Sequence, residues 1–227
     1  VEWSERNKGF CTATVIVEDN EDVCPDDTSS GSFVSGEIYT HQSAEGVEFT
    51  GVEAQSVQGF IGADITDGEG TYIISDIPDG QDIVVEPNRD DHPLNGVSTY
   101  DLVLIQKHIL GIDTFESPYN MIAANANDDD QITASDLVVL RKLILRIYEN
   151  FPNNESWRFV DAAANLPIGI LPLDYPEILQ FPGFDDKVTG ADFIGIKIGD
   201  VTGNAQSNGF VSIQDRNFPE ALELYLD

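Results

Sequence analysis

One segment of the chain occurs twice. Ser98-Thr-Tyr-Asp101-Leu-Val-Leu-Ile-Gln-Lys107-His-Ile109-Leu110 returns as Thr133-Ala-Ser-Asp136-Leu-Val-Val-Leu-Arg-Lys142-Leu-Ile144-Leu145, with Asp, Leu, Val, Lys, Ile and Leu in register. Each copy opens with Ser or Thr three residues before Asp, a capping-box variant that starts a helix. Behind the cap runs an amphipathic stripe, Leu102, Ile105 and Ile109 in the first copy and Leu137, Leu140 and Ile144 in the second. Neither helix can bury its stripe alone, so the two are expected to pack against each other, antiparallel.

The residues ahead of each helix carry oxygen. Before the second, Asn125, Asn127, Asp129, Thr133 and Asp136 occupy the first, third, fifth, ninth and twelfth places of a loop, with Ile132 at the eighth. That is the spacing of a calcium loop of EF-hand type, in which alternate residues point at a hard cation and the seventh, here Gln131, offers its carbonyl. Asn125 stands where an Asp is usual, and Asp130 where Gly is preferred for the left-handed turn. A metal-free capping turn is the competing reading. The first loop is more degenerate. With Asp101 at the twelfth place, Asp90 falls at the first, His92 at the third, Leu94 at the fifth, Gly96 at the seventh and Ser98 at the ninth. Asp90, Asp101, the Gly96 carbonyl and Asn95 or Asp91 are the oxygens it could offer, and a surface turn competes with that reading.

Two loops, two helices and their linker together resemble the type I dockerin repeat pair, in the version found in large secreted proteins of Bacteroidetes. The resemblance covers residues 89–160. It implies bound Ca2+ and an extracellular, secreted or cell-surface location. It also implies a partner-binding role for Thr99, Tyr100, Ala134 and Ser135, which match the loop positions through which dockerins dock cohesin. These four do not form the symmetric pair of the best-known binders.

The stretch from Phe33 to Pro87 reads as β structure. Short alternating runs (Val34–Tyr39, Gly51–Val57, Gly59–Ile65, Thr71–Ile74, Ile83–Val85) are separated by Gly/Asp turns. Thr66-Asp-Gly-Glu-Gly-Thr-Tyr72 and Asp76-Ile-Pro-Asp-Gly80 resemble the prealbumin-like modules of collagen-adhesin B-type and carboxypeptidase-regulatory-like proteins, which implies a β-sandwich over 33–88. No lysine lies within it, so no internal isopeptide bond is expected there. The fold expected is thus mixed and β-rich: a prealbumin-like sandwich joined to a dockerin-like pair.

Residues 1–24 hold one strand, and Gly9 to Asn20 resembles the last strand of a hyalin-repeat β-sandwich. Residues 25–32 and 204–209 read as linkers. Residues 161–203 read as a Pro-rich wrap, in which Ala191-Asp-Phe-Ile-Gly-Ile-Lys-Ile-Gly-Asp-Val201 is a strand returning to the β module as an added edge. Asp185, Asp186, Asp192, Asp200 and Asn204 read as a solvated acidic face. Residues 210–227 read as a strand of a following β domain or a donor strand for another copy. With no initiating Met at Val1, the chain is expected to be a mature product or a piece of something longer. Cys11 and Cys24 could close a hairpin, or each could pair with a cysteine elsewhere.

The charge bounds the partners. With 41 acidic and 11 basic residues the formal net is -30, which opposes binding to nucleic acid or anionic membranes. No apolar run reaches the length of a membrane span. No nucleophile–His arrangement, phosphate-binding glycine loop or zinc motif appears. The chain is therefore expected to be non-catalytic: a calcium-stabilised structural or adhesive module, one form of which is a filament subunit, whose partners are neighbouring modules or copies of itself. The alternative is a docking module that anchors a secreted enzyme to a cohesin.

Overall fold

The computed structural model describes residues 31–171, 174–185 and 187–208. The expected strand in 1–24, the Cys11/Cys24 pair and the 210–227 strand lie outside the described residues. Five strands come first: β1 (Phe33–Thr40), β2 (Gly51–Ser56), β3 (Gly59–Ile65), β4 (Thr71–Ile74) and β5 (Gln81–Asn88). Three helices follow, α1 (Thr99–Ile109), α2 (Pro118–Ala124) and α3 (Ala134–Ile144). Then come β6 (Trp157–Asp161), β7 (Leu179–Phe184), β8 (Lys187–Thr189) and β9 (Phe193–Lys197).

The strands form two sheets. One has the order β4-β1-β9-β6, with β8 also beside β1; the other is β3-β2-β5-β7. β1 runs parallel to β8 and β9, and the remaining pairs are antiparallel. Alternation drives the sandwich. Val34 and Ile38 of β1, Val52 and Ala54 of β2, and Ile83 and Val85 of β5 turn inward with Trp157, Phe159 and Phe193 to make one core. Gly36 is required where β1 meets the 190–192 turn, because a Cβ there would lie 2.0 Å from the Ala191 carbonyl oxygen.

Three features differ from expectation. Trp157–Asp161, which the sequence places at the end of the loop–helix unit, is a strand of the first sheet. The returning strand β9 is not an edge: it lies between β1 and β6. The reason is that all five of its residues are buried, as befits a strand covered on both faces. Phe193 faces the sandwich core. Ile194 and Ile196 face a second core, where they meet Leu102 and Ile105 of α1 and Leu137, Leu140 and Leu143 of α3. The two helix stripes thus share a cluster as the repeat implies, with the back of the sheet as its third wall. The sheet of β1, β9 and β6 is completed only by strands on either side of the helices in sequence. α2 was not anticipated; it has Pro118 at its first turn, where the missing N–H costs nothing. Among the described residues no helix is long and apolar enough to cross a membrane.

Candidate metal loops

Both loops end in the same device. Ser98 caps α1 and Thr133 caps α3, and in each the Asp three residues on accepts from the cap's backbone N–H: Ser98 N to Asp101 Oδ2 at 2.8 Å, Thr133 N to Asp136 Oδ2 at 2.7 Å. Asp101 and Asp136 are fully buried. Beyond the cap the two carboxylates have different neighbours.

In the second loop, successive oxygens point back into the turn. Asn125 Oδ1 accepts from Asp129 N at 3.3 Å, and Asp129 Oδ1 from Gln131 N at 3.1 Å. Asp136 Oδ1 accepts from Asn127 N at 3.2 Å. Asp130, at the sixth place, has the left-handed backbone expected of glycine there (φ 62°), and Asp128 shares it (φ 56°). Asn127 Oδ1, at the third place, is buried without a hydrogen-bond partner. Burial pushes the Asp136 carboxyl above the ordinary aspartate value, and the negative charge of Asp129 adds to that shift, against the pull of the backbone N–H groups it accepts. An uncompensated oxygen and a destabilised carboxylate are what a hard cation corrects. Asn125, Asn127, Asp129, Thr133 and Asp136, with the Gln131 carbonyl, supply the six oxygens at which calcium coordination begins. The residues fit the ion.

In the first loop the same places are engaged by protein. Asp90 Oδ1 accepts from Ser156 N at 2.9 Å. Asn95 makes a reciprocal pair with the Gln206 backbone, at 2.8 and 3.0 Å. Gly96 is pressed against the 200–205 turn, where a Cβ would lie 2.6 Å from Asp200 Oδ2. Asp101 accepts from Ser98 through both its N and Oγ, from the backbone of Val201 (3.1 Å) and Thr202 (3.3 Å), and from Thr202 Oγ1 (3.2 Å). That number of donors saturates a carboxylate. Gly96 and Asp101 therefore converge on the return segment after β9, and Asp90 is turned toward Ser156. These residues do not fit the ion as they stand.

Two residues that the sequence reading passed over complete this arrangement. Lys197, buried at the end of β9, donates from Nζ to the carbonyls of Pro93 (3.1 Å) and Ile198 (3.3 Å). Burial lowers its pKa to about 7, even though Asp200, Asp91 and Asp90 pull the other way. Arg89, also buried, pairs with Asp91 at 2.9 Å, donates to the Glu48 carbonyl at 2.7 Å and lies over the Trp157 ring. A lysine ending an otherwise apolar strand was the available signal for the first. Asp200 corrects another expectation: it is buried rather than solvated, and it accepts from Thr202, Gly203 and Ala205 to shape the return turn. Thr99, Tyr100, Ala134 and Ser135 are all exposed, at the starts of α1 and α3.

Among the described residues no three His, Cys, Asp or Glu side chains gather as a metal site, so the second loop's case rests on amide, hydroxyl and carbonyl oxygens beside its two carboxylates. Comparison with known protein families, curated proteins and solved structures gives no match.

Proposed function

We propose that the chain is a non-catalytic, calcium-stabilised structural module of a secreted bacterial surface or matrix protein, with a dockerin-like helix pair set into a prealbumin-like β-sandwich. The second loop carries this reading through one observation: the third-place oxygen, Asn127 Oδ1, is buried and without a hydrogen-bond partner. The ion would bind only the folded loop, stabilise it by mass action and offset part of the repulsion in a chain of net charge -30. Neighbouring modules or copies of the same chain would be its partners. Thermal melting in calcium against chelator tests this reading. A rise in Tm with calcium, with one ion bound per chain, supports it; an unchanged Tm rejects it.

A second reading, docking to a cohesin-like partner, is favoured by exposed residues on the two helices and just past their ends. Val103, Leu110 and Ile112 are exposed, and so are their repeat counterparts Val138, Leu145 and Ile147. Exposed apolar residues repeated in register suit a partner surface. Saturable one-to-one capture of a cohesin in calcium, lost in chelator, would select this reading over self-association.

A further inference from the structure

A cleft of about 600 Å³ opens between the first loop and the residues that follow α3. Arg89, His92, Arg146, Tyr148, Glu149 and Gln206 line it, over Pro93 and Leu94. Lys142 adds another cation behind the wall, its Nζ 3.0 Å from Tyr148 Oη and 4.8 Å from the centre of that ring. Such a gathering is notable in a chain with only 11 lysines and arginines. The charges are not equivalent. Arg89 is balanced by Asp91. Arg146 is exposed, stands in a left-handed conformation just past α3, and has no ion-pair partner among the described residues.

We propose that this cleft binds an acidic sugar of the uronate type, with the carboxylate on Arg146 and ring hydroxyls on Glu149 and Gln206. The volume suits a ligand of one or two rings. A guanidinium takes a carboxylate through two parallel bonds, whereas Glu149 accepts hydroxyl protons and repels a second negative charge. One unpaired guanidinium in the lining, beside one carboxylate, favours a singly charged, hydroxyl-rich ligand over a phosphate. The chain's overall negative charge does not forbid this, because remote charges are screened beyond about 8 Å at physiological salt, and Arg146 acts at contact distance.

The test is titration of the full chain with galacturonate, glucose and acetate, followed by NMR and calorimetry. Galacturonate is expected to saturate with Kd about 1 mM or tighter, and glucose and acetate to bind at least about tenfold more weakly. Arg146→Gly removes the guanidinium while giving the left-handed position its preferred residue, so the fold is retained; it should weaken galacturonate about tenfold or more. Glu149→Gln should weaken it less. Failure of galacturonate to saturate overturns the proposal, as does equal binding of glucose or acetate, or wild-type affinity in Arg146→Gly.

Discussion

The two loop–helix units share a cap, a helix length and a place in one core, yet their loops are held by different means. In the first, Asp101 is closed by Ser98, Val201 and Thr202, and Lys197 reaches Pro93 from the end of β9. In the second, Asp136 meets only Asn127 and Thr133 from its own loop, and Asn127 Oδ1 has no partner. The return segment 197–207 packs against the first loop and supplies donors to its helix-capping carboxylate; the second is met by polar partners from outside at the Asn125 carbonyl, by Asn154, and at Asp128, by Arg158. A repeat can therefore keep its helix and its cap while one copy's loop is closed by a distant piece of the chain.

The largest expected effect breaks this comparison at the first loop. Asp101→Ala would strand the buried N–H of Val201 and the part-buried N–H of Ser98, leave Thr202 N to Asp200 alone, and break the capping box of α1. At 1–3 kcal/mol for each unsatisfied group, chemical denaturation should show a loss of about 3–5 kcal/mol. That loss should be the same in calcium and in chelator. A calcium-dependent loss would make the first loop a metal site and erase the contrast.

At the second loop Asp136→Asn should act only through the ion. The metal-free protein should change little, because a lost charge-assisted bond is offset by the end of an unfavourable buried charge. The calcium-dependent gain, about 2.7 kcal/mol at a hundredfold excess over Kd, should vanish from the melting curves. Wild type should show the same dependence on pH. Since burial raises the folded pKa of Asp136, its ionised form costs stability at neutral pH, and that cost is relieved as pH falls through the raised value. Calcium needs the ionised form, so its stabilisation should fade on acidification before an ordinary aspartate would titrate.

Lys197→Met sharpens the first-loop side. A lysine lowered from 10.5 to about 7 binds its proton more weakly folded than unfolded. Its contribution is therefore fully present above 10.5 and lost as pH falls through 7. The stability of wild type minus that of Lys197→Met should rise between those limits; using the difference cancels the general repulsion of an acidic chain. A flat difference would mean that the amine is more solvated than its burial implies.

What the sequence disclosed was local. Alternation marks β1 to β5, and the capping boxes at Ser98 and Thr133 mark two helices, because those signals lie within a few residues of what they specify. The oxygen spacing of the second loop is of the same kind, though the lack of a partner for Asn127 Oδ1 is visible only in three dimensions. Long-range closure escaped. The donors that saturate Asp101 come from residues 201 and 202, and nothing near Asp101 announces them. β6 was hidden because Trp157 to Val160 falls inside the span of the loop–helix repeat, and its sheet partner β9 lies more than thirty residues further on. β9 was expected at an edge because its burial on both faces depends on helices that precede it by many residues.

The smallest effect concerns how the two helices stop. After α1, Ile112 N bonds to Lys107 O and Gly111 N to His108 O, with Gly111 left-handed at φ 65°. After α3, Ile147 N bonds to Lys142 O and Arg146 N to Leu143 O in the same pattern, but the left-handed residue is Arg146, at φ 54°. Both ends are Schellman motifs, and only the first has the residue that adopts this backbone without steric cost. A left-handed side chain costs roughly 1–2 kcal/mol. Glycine relieves that, but it gives back about 0.5–1 kcal/mol through the freedom it adds to the unfolded chain. Arg146→Gly should therefore stabilise the protein by a net of about 0.5–1 kcal/mol, read from its denaturation midpoint at constant m-value. The converse change, Gly111→Arg, should destabilise by a similar amount, since a Cβ at Gly111 meets nothing within 4 Å and backbone strain is then the whole effect. Opposite signs at the two helix ends would show that the repeat's C-caps differ only in conformational strain. Matching signs would mean that the Arg146 side chain makes a stabilising contact of its own.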